Sequence, residues 1–142
     1  MGGTIHLVKL CVGAEGVADL ARWQARAEAK GPDGRPRHVT RMWPKRAAEV
    51  TAGGSLYWVF RGVILARQAV VRLDEVRGAD GLLRCGLVLD PEIVRTEAVP
   101  RRPFQGWRYL EPAEAPRDLA AGAEAVALPP ELAAALADLG VR

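Results

Sequence analysis

The stretch from Ser55 to Val76 constrains the fold of this chain more than any other. Ser55 to Phe60 is an apolar and aromatic run, Arg61-Gly62 has the composition of a tight turn, and Val63 to Val76 continues in branched residues. Branched and aromatic side chains suit a pleated surface, and a glycine at the junction supplies the left-handed backbone of a hairpin. Two long antiparallel strands are therefore expected. The second is long enough that it should bend, as strands do around a barrel.

The remaining elements arrange themselves around that hairpin. Thr4 to Val12 alternates and reads as a first strand, followed by a turn at Gly13 to Gly16. A helix is expected from Val17 to about Lys30, with Val17, Leu20, Ala21 and Trp23-Gln24 on its inner stripe. After the Gly31 to Pro36 loop, His38 to Trp43 alternates again, and Pro44 should open a short helix to about Thr51. Further strands are expected at Leu82 to Leu89, Ile93 to Val99 and Phe104 to Leu110. Trp58, Val59, Val70, Leu87 and Val88 are expected in one core. The pattern predicts an α+β domain, a small mixed β-barrel, closed or half-closed, with a few flanking helices. It should span residues 1–119. Residues 120–142 read as a C-terminal extension packed on it, with a helix from Pro129 through Leu139.

The 142 residues suffice for one domain, and half are apolar, which excludes a disordered chain. No apolar run approaches the length needed to span a membrane, and the N-terminus has no secretory h-region. Cys11 and Cys85 lie in apolar runs without a second ligand at metal-binding spacing. They read as buried thiols in a reducing compartment, and the cytoplasm is the expected location. No metal and no cofactor is implied.

Charge is distributed unevenly. Between Arg35 and Arg72 eight Lys or Arg residues face the single acid Glu49, whereas Tyr109 to Arg142 holds two bases against six acids. The densest basic stretch, Arg35 to Arg46, also carries His38 and Trp43, and Arg101 to Tyr109 repeats the mixture with Trp107 and Arg108. Cations interleaved with flat rings suit an anionic ligand that also has a π-face, such as RNA or a modified nucleotide. Arg37, Arg41, Lys45, Arg46 and Arg108 are the candidate phosphate contacts. Trp43 and Trp107 are candidates for stacking, Gln105 for reading a base edge, and His38 for a hydrogen bond or proton transfer. Each has a structural alternative: Trp107 as core, Arg41 as the partner of an acid, His38 as a packed ring.

The order of motifs is itself recognisable. His38-Val-Thr-Arg-Met-Trp-Pro-Lys-Arg46, Gly54-Ser-Leu-Tyr-Trp-Val59 and Arg101-Arg-Pro-Phe-Gln-Gly-Trp-Arg-Tyr-Leu110 resemble those of an alphaproteobacterial family catalogued as a domain of unknown function, over residues 4 to about 119. More distantly the arrangement is similar to PUA-like domains, including the activating-signal-cointegrator homology and EVE branches. In those a Gly-Asp or Gly-Ser turn opens a strand like Leu56-Tyr57-Trp58-Val59, and a second strand crosses the barrel as Ala66 to Val76 would. Ser55 stands where an acid is usual. The resemblance implies a cleft beside the barrel that binds RNA or a modified base.

Two other functions fit the residues. Some cointegrator-homology domains resemble small amidohydrolases with a lysine, a threonine and a glutamate near the cleft, and Thr40, Lys45 and Glu75 could supply those types here. No nucleophile elbow, phosphate loop or metal cluster accompanies them. A protein-interaction module using the acidic C-terminal segment is the third reading.

Overall fold

The computed structural model describes residues 3–102 and 104–119. The extension expected at 120–142 lies outside the described residues. Seven strands and two short helices follow one another as β1 (His6–Leu10), α1 (Val17–Gln24), β2 (Arg37–Thr40), α2 (Ala47–Thr51), β3 (Ser55–Phe60), β4 (Val63–Arg77), β5 (Leu83–Leu89), β6 (Val94–Pro100) and β7 (Trp107–Leu110). The domain is mixed α+β and mostly sheet.

The β3–β4 hairpin forms as the sequence predicts. Arg61 and Gly62 both adopt positive φ, the signature of a two-residue turn whose twist matches the flanking strands. The fifteen-residue β4 serves three partners. Its first half pairs with β3 and β6, and its second half, from Val70, pairs with β5. Irregularities in register between Ile64 and Ala66 and between Val70 and Arg72 mark where the strand bends from one set of neighbours to the other.

The resulting path, β2-β5-β4-β3-β1-β7 with β6 on β4, is open. This corrects the expected closed barrel. β2 is four residues long, and no ladder joins it to β7 among the described residues. Side chains bridge the gap instead: Trp107 Nε1 donates to the Met42 carbonyl at 3.0 Å, and the Arg46 N–H donates to the Tyr109 hydroxyl at 3.0 Å. The chain between β2 and α2 thus closes by indole and phenol what backbone bonds leave open.

β1 runs parallel to β3 and antiparallel to β7, so it occupies the interior of the sheet. Alternation sends Ile5 and Leu7 to one face and Val8 to the other. The first face carries the main core with Leu56, Trp58, Phe60, Val70, Leu87 and Trp107, covered by Leu20 of α1 and Val50 of α2. Val59 belongs to a second cluster on the opposite face, and Val88, though buried, joins neither group. The five residues expected in one core are therefore divided, because Val59 and Val88 sit at the opposite parity from Trp58 and Leu87. Gly54 is needed where α2 meets the sheet, since a Cβ there would collide with the carbonyl oxygens of Ile5 and Val50.

Two helices are shorter than the sequence suggests. Leu20 and Gln24 form the buried face of α1, and one more turn would bring Glu28 onto it. The chain instead becomes extended at Arg26 and makes a 3-10 turn over Ala27–Ala29 that buries Ala29. α2 starts at Ala47 rather than Pro44, with the Arg46 N–H held by Tyr109. Past β7, the segment 117–119 lies along β6: the Glu97 N–H donates to the Arg117 carbonyl and the Leu119 N–H to the Arg95 carbonyl. Arg67 fastens it with two 2.7 Å hydrogen bonds to Asp118.

Candidate ligand-binding cavity

A cavity of about 330 Å³ opens on the main-core face of the sheet, where β1 and β3 face β2 and α1 passes over them. Lys9 and Cys11 of β1, Trp58 of β3, His38 of β2 and Leu20 and Trp23 of α1 line it, with the Gly13 turn and Asp19 at its rim. Its walls are mainly apolar and carry few polar groups, the usual make-up of a small-molecule site.

Three rings shape it. The His38 ring stands 5.3 Å from that of Trp58 and 6.3 Å from that of Trp23, nearly perpendicular to both. Trp58 is 1% exposed and forms the inner wall; Trp23 is 42% exposed and forms the outer one. Burial, with the nearby Lys9 charge adding to it, pulls the His38 pKa down to about 4, so the imidazole is neutral at pH 7. Its Nε2 is buried and has no hydrogen-bond partner. Buried polar atoms nearly always find partners, so an unpaired one on a ring that lines a cavity calls for an explanation. The Cys11 thiol is pushed up to about 12 by burial and is not an activated nucleophile.

The inner wall is held by a buried amide pair. Gln24 and Gln68 exchange hydrogen bonds of 2.8 and 2.7 Å, the Gln68 oxygen also accepts from Trp58 Nε1 at 2.9 Å, and its amide nitrogen donates to the Asp90 carbonyl at 3.0 Å. Every polar position of the Gln68 amide is thereby used. One side chain in β4 fixes both the Trp58 indole and the seat of α1, and so sets the width of the cavity.

A family model described as "Protein of unknown function (DUF1489)" matches residues 7–142. The chain belongs to that family. The match to DUF1489 runs past the last of the motifs, which ends at Leu110, to residue 142. No curated protein and no solved structure matches this DUF1489 chain.

The sequence-predicted residues fall into three groups. His38 alone lines the cavity. Arg41, Trp43 and Lys45 are exposed in the segment after β2, Trp43 at 44%, and neither Arg41 nor Lys45 forms an ion pair with a described residue. The others, apart from the Gln105 side chain, are engaged in the fold. Arg37 lies 3.5 Å from Asp74 and packs along Gly86, where a Cβ would come within 2.9 Å of it. Arg46 makes two bonds to Glu49, at 2.7 and 2.8 Å, and lies over the Tyr109 ring. Trp107 is 5% exposed and is a core residue. Arg108 donates to the carbonyls of Gln105 and Trp107 and lies over Phe104, while the Gln105 side chain is exposed. The two basic-aromatic stretches do meet, through Trp107 with Met42 and Tyr109 with Arg46, but these contacts hold the fold together.

The basic middle of the sequence is also largely neutralised. Of its eight cations, Arg35, Arg37, Arg46, Arg61, Arg67 and Arg72 pair with Asp33, Asp74, Glu49, Glu15 and Asp118. Glu15 and Asp118 come from distant parts of the sequence, and Asp33 and Asp74 from just outside the two ends of the stretch. Thr40 and Glu75 flank Cys85 in one row across β2, β5 and β4, which sets them two strands apart, roughly 10 Å. Thr40 is buried and Glu75 exposed, and Lys45 lies beyond β2 in the exposed segment. Among the described residues no group of His, Cys, Asp and Glu is placed to hold a metal, and no helix is long and apolar enough to cross a membrane.

Proposed function

We propose that this domain binds RNA or a modified nucleotide by taking one base into the cavity between Trp23, His38 and Trp58. The observation that carries the reading is the unpartnered His38 Nε2, neutral and buried at the wall of an aromatic slot. A flat, uncharged heterocycle with polar atoms on its edge would contact the rings and supply the missing hydrogen bond at once. Arg41 and Lys45, which pair with no described acid, are exposed a few residues beyond His38 on the same segment and are the cations this reading assigns to phosphates. The motif-level resemblance of the sequence around Gly54 to Val59 to PUA-like domains is in keeping with this reading, though the sheet is open where that resemblance implies a barrel.

The test is Trp23→Ala. Because this ring is 42% exposed, its loss should leave the melting temperature nearly unchanged. Removing a stacking wall should cost about 1–3 kcal/mol of binding to single-stranded RNA or nucleotides. Binding that is absent in the parent protein, or unaltered in the variant, would overturn the proposal.

A further inference from the structure

The sheet face beneath the cavity has one charged residue in its innermost row. Register places Ala66, Trp58, Lys9 and Trp107 side by side across β4, β3, β1 and β7. Trp58 and Trp107 flank Lys9, and its neighbours of the same parity on β1 are Ile5 and Leu7, both fully buried. The ammonium forms no ion pair with any described residue. Asp19, the acid at the cavity rim, is taken by Arg22 and by the Glu15 N–H. The neighbouring Cys11 thiol stays protonated and offers no negative charge. Half-burial lowers the Lys9 pKa, which shows that the charge is held at a cost. A methionine or leucine would fit this row without that cost.

Resting on the nucleotide reading above, we propose that Lys9 is the anion-selecting residue of the cavity: it pairs with a phosphate carried by the nucleotide whose base lies against Trp23, His38 and Trp58. Half-burial strips part of the hydration from the ammonium, so an entering phosphate displaces less water than at an open surface and meets a charge that no described acid pairs with. His38 is neutral and cannot perform this role. Arg22 is already committed to Asp19. The phosphate has two possible sources, a free mononucleotide or a nucleic-acid strand, and both present the same anionic oxygens.

The experiment compares the four ribonucleosides, their 5′-monophosphates and the corresponding dinucleotides by calorimetry, using the full chain and two variants, Lys9→Met and Lys9→Arg. In the parent protein a phosphate-bearing ligand should bind about tenfold more tightly than its nucleoside. Lys9→Met should keep the nucleoside affinity and lose that preference, and Lys9→Arg should restore most of it. A preference shared by the monophosphate identifies a free nucleotide, and one confined to the dinucleotide identifies a strand. A Lys9→Met protein that retains the preference, or a parent that shows none while binding nucleosides, overturns the role of Lys9 alone. If none of the ligands binds, the base-binding reading falls with it.

Discussion

Acidification should destabilise this protein through His38, by an amount that can be worked out. The ring titrates near 4 in the folded chain against 6.5 for an unperturbed imidazole. As pH falls, the unfolded chain takes up this proton first and the native state resists it. The contribution of His38 is therefore complete above about 6.5 and is lost as pH falls from there towards 4. From about pH 7 to about pH 5 the loss comes to about 2 kcal/mol. His38→Phe keeps a ring against Trp23 and Trp58 but removes the titration. Carboxylates held low by arginine, such as Asp33, Asp80 and Asp118, also lose stabilising power in acid, but equally in both proteins. Urea unfolding followed by circular dichroism at several pH values isolates the difference. Parent and variant should converge or cross as pH falls, the parent losing about 2 kcal/mol more. Parallel curves would refute the claim that the ring is buried and uncharged.

Gln68→Leu should cost about 3 kcal/mol or more, since it strands the Trp58 Nε1 and the Gln24 amide in the core; a denaturation midpoint within error of the parent would contradict the network. Trp107→Ala should cost about 3–5 kcal/mol of stability, and a folded variant should bind nearly as well as the parent. A binding defect without destabilisation would instead move Trp107 into the site. If Lys9, Arg41 and Lys45 are the phosphate contacts, the logarithm of single-strand affinity should fall against log salt with a slope near about −2. Titration over several ionic strengths measures it, and a slope near about −3.5 would show that the paired arginines also release their acids to bind.

The strands were legible because their signals are local. The apolar and aromatic run of Ser55 to Phe60, the Arg61-Gly62 turn and the branched run of β4 each act within a few residues, and the hairpin follows from them. Helix ends were misread because they depend on tertiary choices: Glu28 must not face the sheet, and Tyr109 takes the Arg46 N–H. The ion pairs were illegible for a similar reason. The stretch from Arg35 to Arg72 looks unneutralised only until Asp74 and Asp118 arrive from elsewhere in the chain.

For the cavity, His38 was singled out by its place in the basic stretch. Lys9 and Gln68 carried a quieter signal, a polar residue at an inward parity in an otherwise apolar strand. The spacing of Trp23 with Leu20 fits a buried stripe, but the buried face of α1 narrows to Leu20 and Gln24 and leaves the Trp23 ring 42% exposed.

The position of β1 has a consequence for how the chain is made. This strand leaves the ribosome before both of its neighbours: Leu7 must wait for Leu56, and His6 for Leu110. Until then the N–H and C=O groups along its edges lack their full set of native partners, and pairings of such sequence separation are slow to form. Nascent chains stopped short of β7 therefore carry an open edge beside the main core, the kind of surface on which chains associate wrongly. Synthesis must reach β7 before β1 is safe.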